Sequence, residues 1–453
     1  MLLHTIPTPS QPLEKPLLKG LTILLVNIGS AKKAFIPRIM KELGLRVVVL
    51  HTEVADWARP YVDEWIIVPE KAPQDFIIEA LRESFARMKN PPNGAITFWE
   101  EEIPLHARIC KEFGFVGNSI ETGFLTRSKY AMHETFRKKG CNGVRQKLIR
   151  SNEDLHEAMR TVGFPAIMKP LYGSDSLYVV YVPNALKAIE QYDYISKSYK
   201  EHPYEGMQTV ECGTFVYQEY VDGTEFSVEC VIQNSVPNVI CIHEKTKMQL
   251  PFFVETGDIT PPRVPLEVRT AIEEETKSAL IALGVRDSLA HVEIKMSSRG
   301  PQVIEIASRM GGDDIFSSVL ASTGFNMVKA GCEVALGKPF SERLAEKPLA
   351  AFAKYFIPQI SGTITAMEGF EELRAQPDVF DMFVGSKVGD SIAVPPDGYE
   401  VAGWVLVTGE TPTAVVRRME ELFKTLVLDV CPLWEEFQTA NTPAFTASRL
   451  ALV

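Results

Sequence analysis

Short apolar runs trade places with longer amphipathic stretches along this chain, the pattern of strands alternating with helices. Leu21 to Asn27 is such a run, ending in Ile28-Gly29-Ser30; a helix-like stretch reaches Leu43, and a second run covers Leu45 to Leu50. Glu64 to Val68, a helix over Asp75 to Met88, Gly94 to Phe98 and a helix from Ile103 to Phe113 continue the alternation. This predicts an open α/β domain ending near residue 120. The Ile-Gly-Ser turn lacks the rest of a G-x-G-x-x-G fingerprint and reads as a plain strand-to-helix turn.

Beyond it, Ser128 is placed to cap a helix that Gly140 closes. A strand over Gln146 to Ile149, a helix over Glu153 to Val162 and a strand over Pro165 to Lys169 follow. The loop 171–176 leads into a strand from Leu177 to Val182. Thr214 to Val221 and Glu225 to Ile232 alternate strongly, and Asp222-Gly223 between them predicts a hairpin. Residues 346–453 read as a further α+β lobe, with a strand near Val401 to Val407 and a helix over Pro412 to Leu426. The expected domains are 1–120, 121–205 and 206–453, an α/β fold overall.

The chain has 453 residues and a formal net charge of -11, with no basic run or stripe, so a nucleic-acid partner is not expected. Seven cysteines, at 110, 141, 212, 230, 241, 332 and 431, are scattered and never spaced C-x-x-C, which suggests neither a disulfide framework nor a zinc site. Prolines interrupt the first dozen residues and no apolar run approaches membrane-spanning length, so a cytoplasmic protein away from membranes is expected.

Chemistry concentrates in the middle third. Glu293 lies between Val292 and Ile294, and Glu305 between Ile304 and Ile306, so strand alternation sets each acid on the face opposite its apolar neighbours. Carboxylates aimed into a cleft need a partner, and magnesium is held by one or two of them together with phosphate oxygens and water. A solvated hairpin, its acids paired with Lys295 and Arg299, is the alternative. Arg309, four residues past Glu305, offers a rigid fork of donors for phosphoryl or carboxyl oxygens. Lys169 interrupts the apolar run Phe-Pro-Ala-Ile-Met-Lys-Pro, where a buried ammonium calls for an anion, unless it snorkels to water. Lys129 begins a helix. Gly173, Ser174, Asp175 and Ser176 make a small turn whose amides can fold over phosphates. Gln218, Glu219, Tyr220 and Val221 offer main-chain groups for a purine edge, and Glu225 follows within reach of a ribose. His291, flanked by Ala290 and Val292, is either a packed histidine or, with Glu255 and Asp258, a candidate proton acceptor. Asp313 and Asp314, past Gly311 and Gly312, either hold an ammonium or cap the helix that starts at Ile315.

Taken together, these residues resemble the ATP-grasp superfamily, and within it the carboxylate-amine ligases that join two amino acids, the L-amino acid ligases of the bacilysin-synthetase type. The segments Ile-His-Glu-Lys-Thr at 242–246, Glu255 to Pro261 and His291 to Lys295 strengthen the likeness, which runs from about residue 20 to 430. It implies an N-terminal open α/β domain, an ATP-grasp fold of two α+β lobes and a C-terminal α+β extension. It further implies ATP and two magnesium ions as cofactors. Lys129 and Lys169 would bind phosphates, 173–176 would close over the nucleotide, 218–221 would hold adenine and Glu225 the ribose. Glu293 and Glu305 would ligate metal, and Arg309, with Lys169, would act in catalysis. Glu255, Asp258, His291, Arg309, Gly311, Gly312 and Asp313 would face the small-molecule substrates. A homodimer stays open as an assembly. Two departures stand out: Ala307 occupies the position where many relatives have a metal-binding asparagine, and Asp258 replaces a histidine. The rival readings are an ATP-grasp ligase with another acceptor, of purine-pathway or carboxylase type, and a non-catalytic nucleotide-binding protein.

Overall fold

A computed structural model describes residues 18–173, 176–201, 213–248, 250–395 and 398–432. Ser174, Asp175 and Cys212, the leader to residue 17 and the segment after 432 lie outside the described residues. Four parallel strands in the order Glu64–Ile67, Arg46–His51, Thr22–Val26 and Gly94–Ile96 form the first sheet, as the alternation of strands and helices requires.

An eight-stranded antiparallel sheet is the floor of the molecule. Its order is Gly300–Ala307, Ser288–Ser297, Thr224–Gln233, Val236–Lys245, Gly257–Thr260, Ala350–Phe356, Gly403–Gly409 and Val379–Val384. The last three strands come from the C-terminal lobe, so that lobe extends the floor; a three-stranded sheet of Ser391–Ile392, Gly362–Glu368 and Val427–Cys431 covers its end. A small antiparallel sheet, Gln146–Ile149, Phe215–Glu219, Ala166–Pro170 and Val180–Val182, makes the roof.

The floor has two faces of different character. Phe226, Val228, Ala290, Val292, Ile294 and Ile306 point one way, into a core shared with helices Leu266–Ala282 and Lys129–Lys139. The other face, read along Ser288–Ser297, carries Leu289, His291, Glu293 and Lys295. Leu289 joins the core under helix Met327–Ala335, while the charged positions are left uncovered.

The expected hairpin at Asp222-Gly223 does not form. Phe215–Glu219 pairs in the roof, whereas Thr224–Gln233 pairs with Val236–Lys245 and Ser288–Ser297 in the floor. The sequence signal of a tight turn is real: Gly223 has φ +89, but it serves a crossing between sheets. A Cβ there would stand 2.0 Å from the Met296 carbonyl, so only glycine lets the chain pass this close to the floor. The strand that a boundary at 205/206 assigns to the large lobe therefore belongs to the small one. The strand from Leu177 starts only at Val180, because Ser176 and Tyr178 sit at positive φ and keep the chain from extending. Helix Lys129–Lys139 is capped as expected, the Ser128 hydroxyl accepting from the Ala131 amide and Gly140 closing at φ +77.

Candidate active site in the cleft between the sheets

Roof, floor and the first domain enclose a cavity of about 1090 Å³. Strand register builds its floor. Glu293 is the direct partner of Glu305, Ser227 of Glu293, Glu225 of Lys295, and Asp258 of Lys245, so these side chains share the uncovered face. Glu293 and Glu305 are partly exposed to the cavity, at 26% and 23%. The solvated hairpin is ruled out, since Lys295 and Arg299 pair elsewhere, with Glu225 at 3.6 Å and Glu219 at 3.1 Å.

Glu305 instead receives Lys129 at 2.6 Å, and the same ammonium donates to the Gly173 carbonyl at 2.8 Å. Glu293 receives Lys245 at 2.9 Å. Lys245 also lies 3.0 Å from Glu225 and 2.6 Å from Glu255, so one ammonium fills the space among three carboxylates. Despite burial, Lys245 and His291 hold the Glu293 carboxyl well below the usual range. Lys245 was not assigned a role from sequence, although the quoted Ile-His-Glu-Lys-Thr segment contains it.

Lys169 stands in the roof, 3% exposed, and makes no hydrogen bond or ion pair among the described residues. Burial lowers its pKa to about 8, with Glu305 acting in the opposite direction. It is buried in the cavity wall and does not snorkel to water. Ile167 and Gln218 share its side of the sheet, and the Gln218 Nε2 is buried without an acceptor. Glu219 and Val221 also line the cavity. The main chain of this stretch is partly committed, Glu219 donating to Arg145 and Tyr220 to Pro165, and the Val221 carbonyl accepts from Lys295. Tyr220 does not line the cavity: its ring packs against Tyr181, centroids 5.1 Å apart, with the Lys295 ammonium 5.0 Å from its centroid. Glu225 sits beside Lys245 and Lys295, in one cluster with Glu255 and Glu293. Gly173 and Ser176, either side of the undescribed pair, line the cavity.

At the opposite end Arg309 reaches Glu100, Nε to Oε2 2.8 Å, while its NH1 donates to the Met310 carbonyl. Glu100 is buried and also accepts from Arg127 at 2.9 Å, and against burial these two arginines keep its carboxyl ionised. Sequence reasoning missed Glu100. The signal was available, because it follows the parallel strand Gly94–Ile96, and open α/β sheets present ligand-binding groups beyond the carboxyl ends of their strands.

His291 bonds Glu229 through Nδ1, with Nε2 3.7 Å from Glu293. Burial opposes its charge, but Glu229 and Glu293 outweigh this and raise the pKa to about 9. Both ring nitrogens thus face carboxylates, Nδ1 toward Glu229 and Nε2 toward Glu293. Gly311 turns its amide to Glu229 at 3.1 Å; a Cβ there would meet Ile315 at 2.7 Å and His291 at 2.9 Å. Its part is thus to seat Glu229, while Gly312 and Asp313 face the cavity. Asp314 does not cap its helix with its side chain. It is fully buried, accepts from the Tyr355 hydroxyl at 2.9 Å and lies against Asp258.

The donor set fits a magnesium-nucleotide pair: adjoining carboxylates in one cavity with a buried lysine and a buried amide donor that have no partner among the described residues. Ala307 lines the cavity opposite His291, and its methyl side chain offers no metal ligand.

Residues 162–317 match the family described as the ATP-grasp domain, and residues 354–430 match L-amino acid ligase C-terminal domain 2. The chain carries an ATP-grasp domain and resembles the L-amino acid ligases. Alanine–anticapsin ligase of Bacillus subtilis (strain 168) is 26% identical over 292 residues, covering 61% of this chain and 60% of that protein. Human carnosine synthase 1 is 23% identical over 334 residues, 71% of this chain and 40% of its own length. The chain thus spans three fifths or less of these curated relatives. Among solved structures, an L-amino acid ligase from Bacillus licheniformis superposes with a TM-score of 0.80 at 22% identity, covering 91% of this chain and 99% of that one. The ATP-grasp fold expected from the residues is therefore present. No helix among the described residues is long and apolar enough to cross a membrane.

Proposed function

We propose that this protein is an ATP-dependent carboxylate-amine ligase that activates a carboxylate as its acyl phosphate and couples it to an amino-acid amine, giving a dipeptide or related amide, ADP and phosphate. The observation that carries this reading is the placement of Glu293 and Glu305 side by side in the same cavity as Lys129, Lys169 and Arg309.

A free carboxylate resists attack because its oxide is a poor leaving group. Phosphorylation removes that obstacle, and such transfer needs mainly positioning and charge neutralisation. Glu293 and Glu305 would hold magnesium, which when bound neutralises charge on the phosphate oxygens. Lys169, buried and without a partner, is preorganised for an anion, and Lys129 stands beside it. Arg309, aimed by Glu100, would set its positive charge against the carbonyl oxygen that gains charge during condensation. Gly173 and Ser176 line the cavity near Lys129, where exclusion of water would protect the activated acid.

The test is a matrix of amino acids and small carboxylic acids, taken pairwise with ATP and magnesium, scored by phosphate release and product mass. A condensed product with stoichiometric phosphate is expected. Phosphate release with no pair, or with a carboxylate such as bicarbonate alone, would overturn the amino-acid ligase reading.

A further inference from the structure

Three groups near the substrate end can be weighed as acceptors of the proton that an amino-acid ammonium must lose before it attacks. His291 is held between two carboxylates, its Nδ1 on Glu229 and its Nε2 3.7 Å from Glu293. Glu255 is held by Lys245 at 2.6 Å. Asp258 differs from both. It lines the cavity, is 5% exposed, and its Oδ1 has no donor among the described residues.

Behind it stands Asp314, wholly buried, with Oδ2 likewise without a donor and Oδ1 fixed by the Tyr355 hydroxyl. The register produces this pairing. Asp258 is opposite Ala353, so Tyr355, two residues on, rises on the same face, and helix Ile315–Thr323 starts directly over it with Asp314 as its first flanking residue. The other groups facing Asp258 are Glu255 and Lys245, and those facing Asp314 are Asp313 and Glu255. Lys245 is engaged by three glutamates and is not free to neutralise the pair.

Building on the ligase reading, we infer that Asp258, backed by Asp314 and Tyr355, takes the proton from the acceptor substrate's ammonium group, so that this substrate attacks as a free amine. Two touching carboxyls in a dry site do not both ionise; they share one proton and carry one negative charge. That charge attracts an ammonium, and accepting its proton leaves the pair neutral, which burial favours. Burial and the neighbouring Asp314 raise the Asp258 pKa well above the carboxylate range, and burial raises that of Asp314 too, so the pair has affinity for a proton brought in by an ammonium. The amine lone pair then forms the C–N bond. The C–O bond to phosphate breaks with its electron pair, and the second N–H proton leaves with the phosphate. Asp258 is the catalytic residue; Asp314 and Tyr355 position it and set its proton affinity.

Hydroxylamine separates this role from a structural one, being uncharged at neutral pH and needing no proton acceptor. With the best carboxylate donor from the matrix, Asp258→Asn should lower amide formation from the amino-acid acceptor by about 100-fold or more, while hydroxamate formation stays within a few-fold of wild type. Asp314→Asn should displace the acidic limb of the amide kcat profile, because the proton that Asp314 shares with Asp258 is gone. Equal losses with both acceptors, or an unmoved acidic limb in Asp314→Asn, would overturn the inference. A wild-type enzyme that makes neither hydroxamate nor amide from any donor would overturn the ligase reading, and this inference with it.

Discussion

Arg309 and Glu100 form a shielded ion pair, Nε to Oε2 2.8 Å, that locks the ATP-grasp domain to the first sheet's domain across the end of the cavity. Arg127 shares the same carboxylate, so one acid orients two arginines. Glu100→Gln leaves both guanidinium groups without their countercharge. Breaking a buried pair from one side costs about 3 kcal/mol, and loss of an aligned donor lowers rate by about 100-fold. Urea unfolding and condensation kinetics together should show both losses; a variant with wild-type kcat would mean that Arg309 needs no help in pointing at the substrate.

Lys169 should behave in the opposite way for stability. Its burial without a partner disfavours the charged form, so Lys169→Met relieves a desolvation cost while removing an anion-binding charge. The expected result is a melting temperature equal to or above wild type, with phosphate release down by about 100-fold. A fall in melting temperature with phosphate release intact would reverse the assignment.

Asp314 gives a pH dependence whose sign can be fixed. Its folded pKa, about 7, lies above the ordinary carboxylate value, so the folded state binds the proton more tightly than the unfolded chain. Its contribution to stability is complete below the unfolded pKa and is lost as pH rises through about 7. Unfolding free energies of wild type and Asp314→Asn, compared between the two limits, should diverge in favour of the variant as pH rises and run parallel above neutrality. A constant difference would show that the carboxyl does not titrate in that window.

Gly223→Ala tests the crossing between the sheets. A side chain at φ +89 costs about 1–3 kcal/mol before any contact is considered, and the Cβ would meet the Met296 carbonyl at 2.0 Å. Denaturant midpoints should drop, and the unfolding free energy extrapolated from them should fall by at least that much. An unchanged midpoint would mean that the crossing relaxes freely.

Much of this arrangement was legible in the chain. Period-2 alternation at 288–307 sets Glu293 and Glu305 on one face because a pleated strand allows nothing else, and the Ser128 and Gly140 caps are local signals. What escaped was set by partners distant in sequence. Asp222-Gly223 has the chemistry of a hairpin, and nothing local says that its flanking strands join different sheets. Glu100 and Tyr355 become site residues only through domain packing and an eight-strand register. His291, Glu229 and Gly311 form one hydrogen-bonded chain across three elements, and its effect on the histidine proton depends on burial that spacing does not report.

Between Glu219 and Thr224 the backbone passes from roof to floor in five residues, a tether of roughly 17 Å at full stretch. So short a link permits tilting but little sliding. Gln218, just before it on the roof, and Glu225, just after it on the floor, are thereby tied within a short reach of each other across the cleft.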